Sequence, residues 1–221
     1  MNPEFWQQRW TAGQIGFHQD APTALLQKHW HALGVPDGAK VFVPLAGKSL
    51  DMPWLAARGH RVLGVELTQT AVDQFFAEHG LSPQTHDSRY GVHHVAGAIE
   101  IIRGNVFDLD AAALADCGAV FDRAAIIALP PPLRARYAHE LYSLLPHGCR
   151  GLMITLEYPQ DEREGPPFSV PEAEIRQHLE PEWTVDLLER RPIPREHPGH
   201  VAGTSRLDTA VYGLLHCRIK D

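Results

Sequence analysis

Three observations predict a doubly wound α/β fold for this chain of 221 residues. Short continuous apolar runs alternate with longer amphipathic segments at helical spacing. The apolar runs lack polar alternation, as strands covered on both faces require, so the sheet is mostly parallel. Glycines follow the helical segments where a left-handed stop is needed. With 44% hydrophobic and 21% charged residues the chain can bury a sizeable core. The whole length, 1–221, reads as one domain.

The elements follow in order. Behind Pro22 and Thr23, residues Leu25, Leu26, His29, Trp30 and Leu33 repeat at helical spacing, and Gly34 is the stop. Residues 40–45 form a first strand that runs into Ala46-Gly47-Lys48. Ser49 is placed to cap a helix through Arg58, with Trp54 and Leu55 inward, Pro53 in the first turns and Gly59 behind it. Residues 61–65 form a second strand closed by Glu66. Thr68 then caps a helix with Val72, Phe75 and Phe76 on one face and Gly80 at its end. Residues 82–98 are polar and read as a long irregular loop. A third strand at 99–103 leads into Gly104-Asn105-Val106, and a fourth begins at 119–122. Three prolines introduce a helix over 133–145, and a fifth strand spans 151–157. A helix near 171–179 and strands near 185–189 and 210–218 complete the chain.

Composition excludes several classes. The net charge is -7, and the 20 basic residues form no block, against the basic surplus of a duplex-binding protein. No apolar run approaches the roughly 18 residues of a membrane helix, and MNPEFWQQRW lacks the features of a secretory signal. The 3 cysteines are far apart and form no C-x-x-C pair, which fits a reducing cytoplasm better than a disulfide framework. The 14 histidines read as surface residues: His93 and His94 are adjacent, His197 and His200 lie in a Pro/Gly loop, and no metal set is expected.

In doubly wound sheets ligands lie beyond the carboxyl ends of the strands, at the switch point. The turn after strand one has a single glycine, Gly47, without the G-x-G-x-x-G fingerprint or the leading glycine of a P-loop. A diphosphate needs several close backbone N–H groups, whereas an adenosine without phosphates does not. Glu66, nineteen residues after Gly47, ends strand two where an acid accepts the hydroxyls of a ribose. Asn105 and Val106 after strand three can offer an amide and a backbone edge to a purine. Either could equally be an ordinary polar turn. These features point to S-adenosyl-L-methionine.

A resemblance narrows this further. Trp6-Gln7-Gln8-Arg9-Trp10 with Gly13 and Phe17-His18-Gln19 forms an amino-terminal signature. Pro44-Leu45-Ala46-Gly47-Lys48, then Arg58-Gly59-His60 with Gly64-Val65-Glu66, follow it. Asp122-Arg123-Ala124-Ala125 and Gly165-Pro166-Pro167-Phe168 complete the series. Together they resemble bacterial-type members of the thiopurine S-methyltransferase family. The resemblance implies a class I S-adenosylmethionine-dependent methyltransferase fold, a seven-stranded, mostly parallel sheet with its last strand antiparallel. It implies cofactor contacts from Trp10, Leu45, Glu66 and Arg123, joined by Gly47, Asn105 and Val106. Phe17 would stand between methyl group and acceptor, and residues 1–34 would form a lid and helix over the cofactor site. Arg195 is a further substrate-site candidate in a stretch past Pro192 where the resemblance fades. Ala46 stands where many members carry cysteine. The implied acceptors are small aromatic or heterocyclic thiols, thiopurines among them, with selenium or tellurium compounds as further acceptors in metalloid detoxification. The implied state is a cytoplasmic monomer, without nucleic-acid or membrane partners.

Residue chemistry agrees with sulfur as acceptor. Methyl transfer is an in-line displacement that needs proximity and exclusion of water. A thiol of low pKa ionises without a strong base, and Arg123 is placed to favour its anion, which makes it the catalytic candidate. A nicotinamide-dependent oxidoreductase and a non-catalytic adenosine-binding module are the alternatives. The stretch 6–17 shows no helix or strand pattern of its own, and its Gly13 and Gly16 suit a moving lid. Glu66→Ala is expected to weaken the cofactor with little loss of fold.

Overall fold

The computed structural model describes residues 3–196 and 200–217. His197 and Arg218, invoked above, lie outside the described residues. The strands are β1 (Lys40–Pro44), β2 (Arg61–Glu66), β3 (Gln84–Ser88), β4 (Gly91–Ala96), β5 (Ile99–Arg103), β6 (Cys117–Arg123), β7 (Arg150–Glu157), β8 (Trp183–Pro192) and β9 (Asp208–His216). They form one sheet of order β3-β4-β5-β2-β1-β6-β7-β9-β8. Pairs β5/β2, β2/β1, β1/β6 and β6/β7 are parallel, and β9 runs antiparallel to both β7 and β8. The expected strands are therefore present with their antiparallel last member. The switch point lies between β1 and β6, where the order of strands reverses.

The helices are α1 (Pro3–Thr11), α2 (Ala24–His29), α3 (Asp51–Ala56), α4 (Gln69–Glu78), α5 (Ala111–Leu114), α6 (Pro131–Arg136) and α7 (Glu172–Leu179). Alternate strand residues feed two cores, because successive side chains point to opposite faces of a sheet. Val41, Val43, Val62, Ile101 and Phe121 pack with Leu26, Leu55 and Phe75 from α2, α3 and α4. Phe42, Leu63, Ile102 and Val120 pack on the other face with Leu114, Tyr137 and Ile175. Truncating a side chain such as Phe42, which is fully buried, would cost about 3–5 kcal/mol.

Five expectations are corrected. Residues 82–98 are not an irregular loop: β3 and β4 form a hairpin that extends the sheet to nine strands, antiparallel to β5. Its outer strand is wholly exposed, so no apolar alternation marked it. His93 and His94 sit on β4 and are each only 8% exposed, so they are not surface histidines. The segment before Gly13 is helical as α1, which buries little but Trp10 and so carries no clear stripe.

Capping is the fourth. Thr68 does not cap its helix through its side chain, whereas Ser49, one residue before the helix's first flanking position Leu50, does accept the Asp51 N–H at 3.2 Å on its Oγ. Both hydroxyls also donate to carboxylates, Ser49 to Asp51 at 2.9 Å and Thr68 to Glu66 at 2.6 Å. A hydroxyl has one donor and two acceptor positions, so Ser49 can hold a helix N–H and a carboxylate together.

The expected helix 133–145 also changes pitch. After α6 the chain makes a π turn, Tyr137–Leu141, and then a 3-10 turn, Tyr142–Leu144. In an α-helix, residues five apart point about 140° away from each other. The wider π turn brings Tyr137 and Tyr142 to one face, where both hydroxyls donate to Asp122 Oδ2 at 2.7 and 2.8 Å.

Candidate active site

The carboxyl ends of β1, β2, β5 and β6 converge as the topology requires. Among the described residues two non-glycines adopt left-handed backbone, Leu45 with φ 46° after β1 and Ala124 with φ 62° after β6. They flank the switch point. Such conformations cost about 1–3 kcal/mol each and gather where function fixes the chain. Gly47, with φ 53°, continues the turn after β1. A Cβ there would stand 3.3 Å from the Trp10 ring, so the indole lies directly on the turn.

Glu66 fastens this turn. Its Oε2 accepts the Gly47 N–H at 2.9 Å, and its Oε1 accepts the Thr68 N–H at 2.7 Å and the Thr68 hydroxyl at 2.6 Å. It is only 7% exposed. Burial pushes its carboxyl above the ordinary glutamate range, and the Thr68 and Gly47 hydrogen bonds pull partly against this. A carboxylate offers about four acceptor positions, so these three bonds leave about one for a ribose hydroxyl. Accepting both hydroxyls requires the Thr68 hydroxyl to turn away. The residues fit an adenosine on those terms: a glycine turn that backbone can approach, and a buried carboxylate with a position to spare.

On β6, Arg123 is half-buried, and its Nη2 donates to the Phe17 carbonyl at 3.2 Å. Burial holds its guanidinium below the ordinary arginine range, and nearby Asp51 pulls it back up. Among the described residues it forms no ion pair within 4.0 Å, which leaves its charge available. Phe17 packs edge-to-face on Trp10 and Trp6, with centroids 5.7 and 5.9 Å away. Trp10, Gly47, Glu66, Phe17, Arg123 and Leu45 thus form one neighbourhood.

The remaining sequence-predicted residues sit differently. Asn105 is exposed, and its Oδ1 accepts the Phe107 N–H at 3.2 Å, capping the short turn after β5. The Val106 side chain is buried in the core, so only its backbone can face a ligand. Arg195 is exposed and reaches the Ser205 carbonyl at 3.5 Å; no contact among the described residues joins it to Phe17 or Arg123.

Sequence reasoning missed Asp51, which joins the lid side to the turn. It is buried and accepts from the Thr23 N–H at 2.7 Å, the Thr23 hydroxyl at 3.1 Å and the Ser49 hydroxyl at 2.9 Å. Its place two residues after Ser49 was the available signal. Asp122 was quoted only as part of a motif. Here it is fully buried, accepts from Tyr137, Tyr142 and the Ile126 N–H, and so braces the backbone that presents Arg123. Its carboxyl is also raised by burial, against those hydrogen bonds. His18 beside Phe17 is lowered, first by burial and then by the Lys48 charge.

The order of the sheet, the strained turns at its switch point and the acidic end of β2 define a class I S-adenosylmethionine-dependent methyltransferase. Solved structures agree on the fold. A Burkholderia thailandensis 1,6-didemethyltoxoflavin-N1-methyltransferase, solved with bound 1,6-didemethyltoxoflavin and S-adenosylhomocysteine, matches with a TM-score of 0.65 at 18% identity, covering 98% of this chain and 87% of that one.

Sequence comparison is more specific. The family model described as Thiopurine S-methyltransferase (TPMT) matches residues 1–216. A thiopurine S-methyltransferase of Nitrosomonas eutropha is 58% identical over 215 residues, 97% of this chain and 98% of its own length. One from Xanthomonas campestris pv. campestris is 56% identical over 97% of this chain and 99% of its own. The chain belongs to the thiopurine S-methyltransferase family.

Proposed function

We propose that this enzyme methylates the sulfur of small aromatic or heterocyclic thiols, thiopurines among them, and that selenium and tellurium compounds are further acceptors. The observation that carries this reading is Arg123: a half-buried guanidinium without an ion-pair partner among the described residues, beside Phe17 at the switch point. Acceptors that ionise to a soft anion suit such a site, because the charge holds them ionised and aligned before reaction.

Glu66 and Gly47 hold the ribose side of the cofactor, Asn105 and the Val106 backbone its adenine, and Leu45 and Trp10 the rest. When bound, S-adenosylmethionine supplies an activated methyl group on a sulfonium. A thiolate acceptor would bond to that methyl group as the sulfonium S–C bond broke, so both charges would be neutralised. Trp10 and Phe17 exclude water from this space. Phe17 separates the two reactants' pockets, and Arg195 stays the candidate on the acceptor side by resemblance alone. We also place the reaction in the cytoplasm with a monomeric enzyme, in keeping with three free cysteines. Among the described residues, no helix is long and apolar enough to cross a membrane.

Calorimetric titration with S-adenosylhomocysteine, followed by initial rates on a panel of heteroaromatic thiols and selenium compounds, tests the proposal. Binding with turnover of the thiols supports it. Binding without turnover of any acceptor replaces it with a non-catalytic adenosine module, and binding of a nicotinamide dinucleotide instead restores the oxidoreductase.

A further inference from the structure

Three side chains converge on one face of the β3-β4-β5 edge, apart from the site described above. His86 on β3 stands directly across from His93 on β4. Glu100 on β5 lies one diagonal step from His93, opposite Val95. One potential ligand atom from each falls within 4.8 Å of the other two. The two imidazole rings are stacked, with centroids 4.4 Å apart and planes 22° from parallel. His93 Nδ1 and Glu100 Oε1 are 2.5 Å apart. His86 is exposed, Glu100 is half-buried and His93 is buried.

We propose that His86, His93 and Glu100 form a binding site for one divalent transition-metal ion of the zinc type, with its fourth position open to water. Two imidazoles and a carboxylate are a donor set that zinc accepts, whereas magnesium and calcium select oxygen. Bonds of about 2.0–2.2 Å at tetrahedral angles set ligand atoms roughly 3.3–3.5 Å apart. No pair of these atoms is more than 4.8 Å apart, and the His93–Glu100 pair at 2.5 Å must open by about an ångström, within reach of side-chain rotation. The three positions are held in register by the strand ladders, which gives the site a rigid frame.

The surroundings suit this role. Ser88 Oγ lies 2.7 Å from His93 Nε2, so a hydroxyl orients the ring while Nδ1 faces Glu100. Lys40 opposes the ion: its Nζ is 4.0 Å from Glu100 Oε2, but it lies nearer Asp116, at 3.2 Å, which takes up most of its charge. The site also answers a structural need. All five residues of β3 are exposed, so that strand is held by its ladder and not by a core. An ion shared by β3, β4 and β5 would fasten the hairpin to the sheet.

The test uses untagged, chelator-treated protein titrated with zinc by calorimetry, and with cobalt(II) by visible absorption as a report on coordination. The expected result is one ion per chain with a tetrahedral cobalt spectrum, and slower amide exchange in 84–96 when zinc is added. His86→Ala removes an exposed ligand without disturbing the core and should weaken binding more than tenfold, since even outer partners of metal ligands change affinity about 10–100-fold. Glu100→Gln should do the same. His178→Ala, which breaks the separate His139–His178 contact, should leave the affinity unchanged. No binding to the wild-type chain, an affinity unmoved by His86→Ala, or a loss caused by His178→Ala would overturn the proposal.

Discussion

Glu66→Gln separates the two roles of this carboxylate. Its oxygens receive the Gly47 N–H at 2.9 Å, the Thr68 N–H at 2.7 Å and the Thr68 hydroxyl at 2.6 Å. The amide keeps the most bonds with its oxygen toward Thr68, which turns its NH₂ toward the Gly47 N–H. That buried donor is then orphaned, at a cost of about 1–3 kcal/mol. In a chain of this size each kcal/mol moves Tm by about 2–4 °C. The fold is therefore expected to weaken measurably, contrary to the sequence-based expectation for Glu66→Ala, because the carboxylate is internal mortar as well as ligand.

Cofactor affinity changes for a different reason. A hydrogen bond to a charged acceptor is worth about 1.5–3 kcal/mol and one to a neutral acceptor about 0.5–1.5. The loss is about 1–1.5 kcal/mol, or roughly five- to tenfold in Kd for S-adenosylhomocysteine. The pH dependence has a definite sign. Burial raises the Glu66 carboxyl above its unfolded value, so folding favours its protonated form. Its stabilising contribution is complete below the ordinary glutamate range and is lost as pH rises through the raised folded value. The Tm gap between wild type and Glu66→Gln should narrow over that window, while wild-type cofactor affinity improves as the acceptor ionises and the variant's stays flat. Scanning calorimetry and isothermal titration across pH measure both. A lowered Tm with an unchanged Kd would refute the ribose role and leave Glu66 as a clamp on the Gly47 turn.

Arg123→Ala should move the acidic limb of the rate profile to higher pH for a thiol of pKa near 7, and leave only a smaller alignment loss for a thiol already ionised; identical limbs in both proteins would reduce Arg123 to a cofactor contact. Hydrogen exchange in residues 3–17 should slow on addition of S-adenosylhomocysteine if this segment is a lid. Gly47→Ala, which places a Cβ 3.3 Å from the Trp10 ring in a left-handed backbone, should speed exchange there without ligand; equal protection in all these states would argue against a lid.

Where apolar runs were continuous the sequence was easily read. Val41-Phe42-Val43 and Val62-Leu63 are buried on both faces, and burial on both faces leaves no polar gap to confuse the pattern. Gly34 and Gly80, each with φ 62°, stand as left-handed stops where helical stretches end. The hairpin Gln84–Ser88/Gly91–Ala96 was opaque because it depends on backbone pairing and on a tight crossing that composition does not display. A Cβ on Gly91 would meet the Arg103 carbonyl at 2.2 Å, a contact between residues distant in sequence. The site was legible in the same uneven way. Glu66 and Gly47 announced themselves by position, and the structure links them directly. The tie from Thr23 to Asp51 spans 28 residues and has no local signature. Asp122 needed a π turn, invisible to a helical period, to gather its two tyrosines.

The place of β9 has a consequence for how the polypeptide matures. β8 is made before β9, yet β9 lies between it and β7. While the chain is being synthesised, β7 therefore waits with an open edge, and β8 has no native neighbour to join. An open edge beside buried residues such as Leu152 and Met153 is a template for wrong pairing. The closing strand must also slide into a tight slot: a Cβ on Gly151 would press on Val120 at 2.9 Å and Leu214 at 3.1 Å, and one on Gly213 on Leu188 and Leu33 at 3.3 Å. Side chains added at these two glycines would act first on the yield of correctly assembled enzyme, with the catalytic end of the sheet untouched in every molecule that completes the insertion.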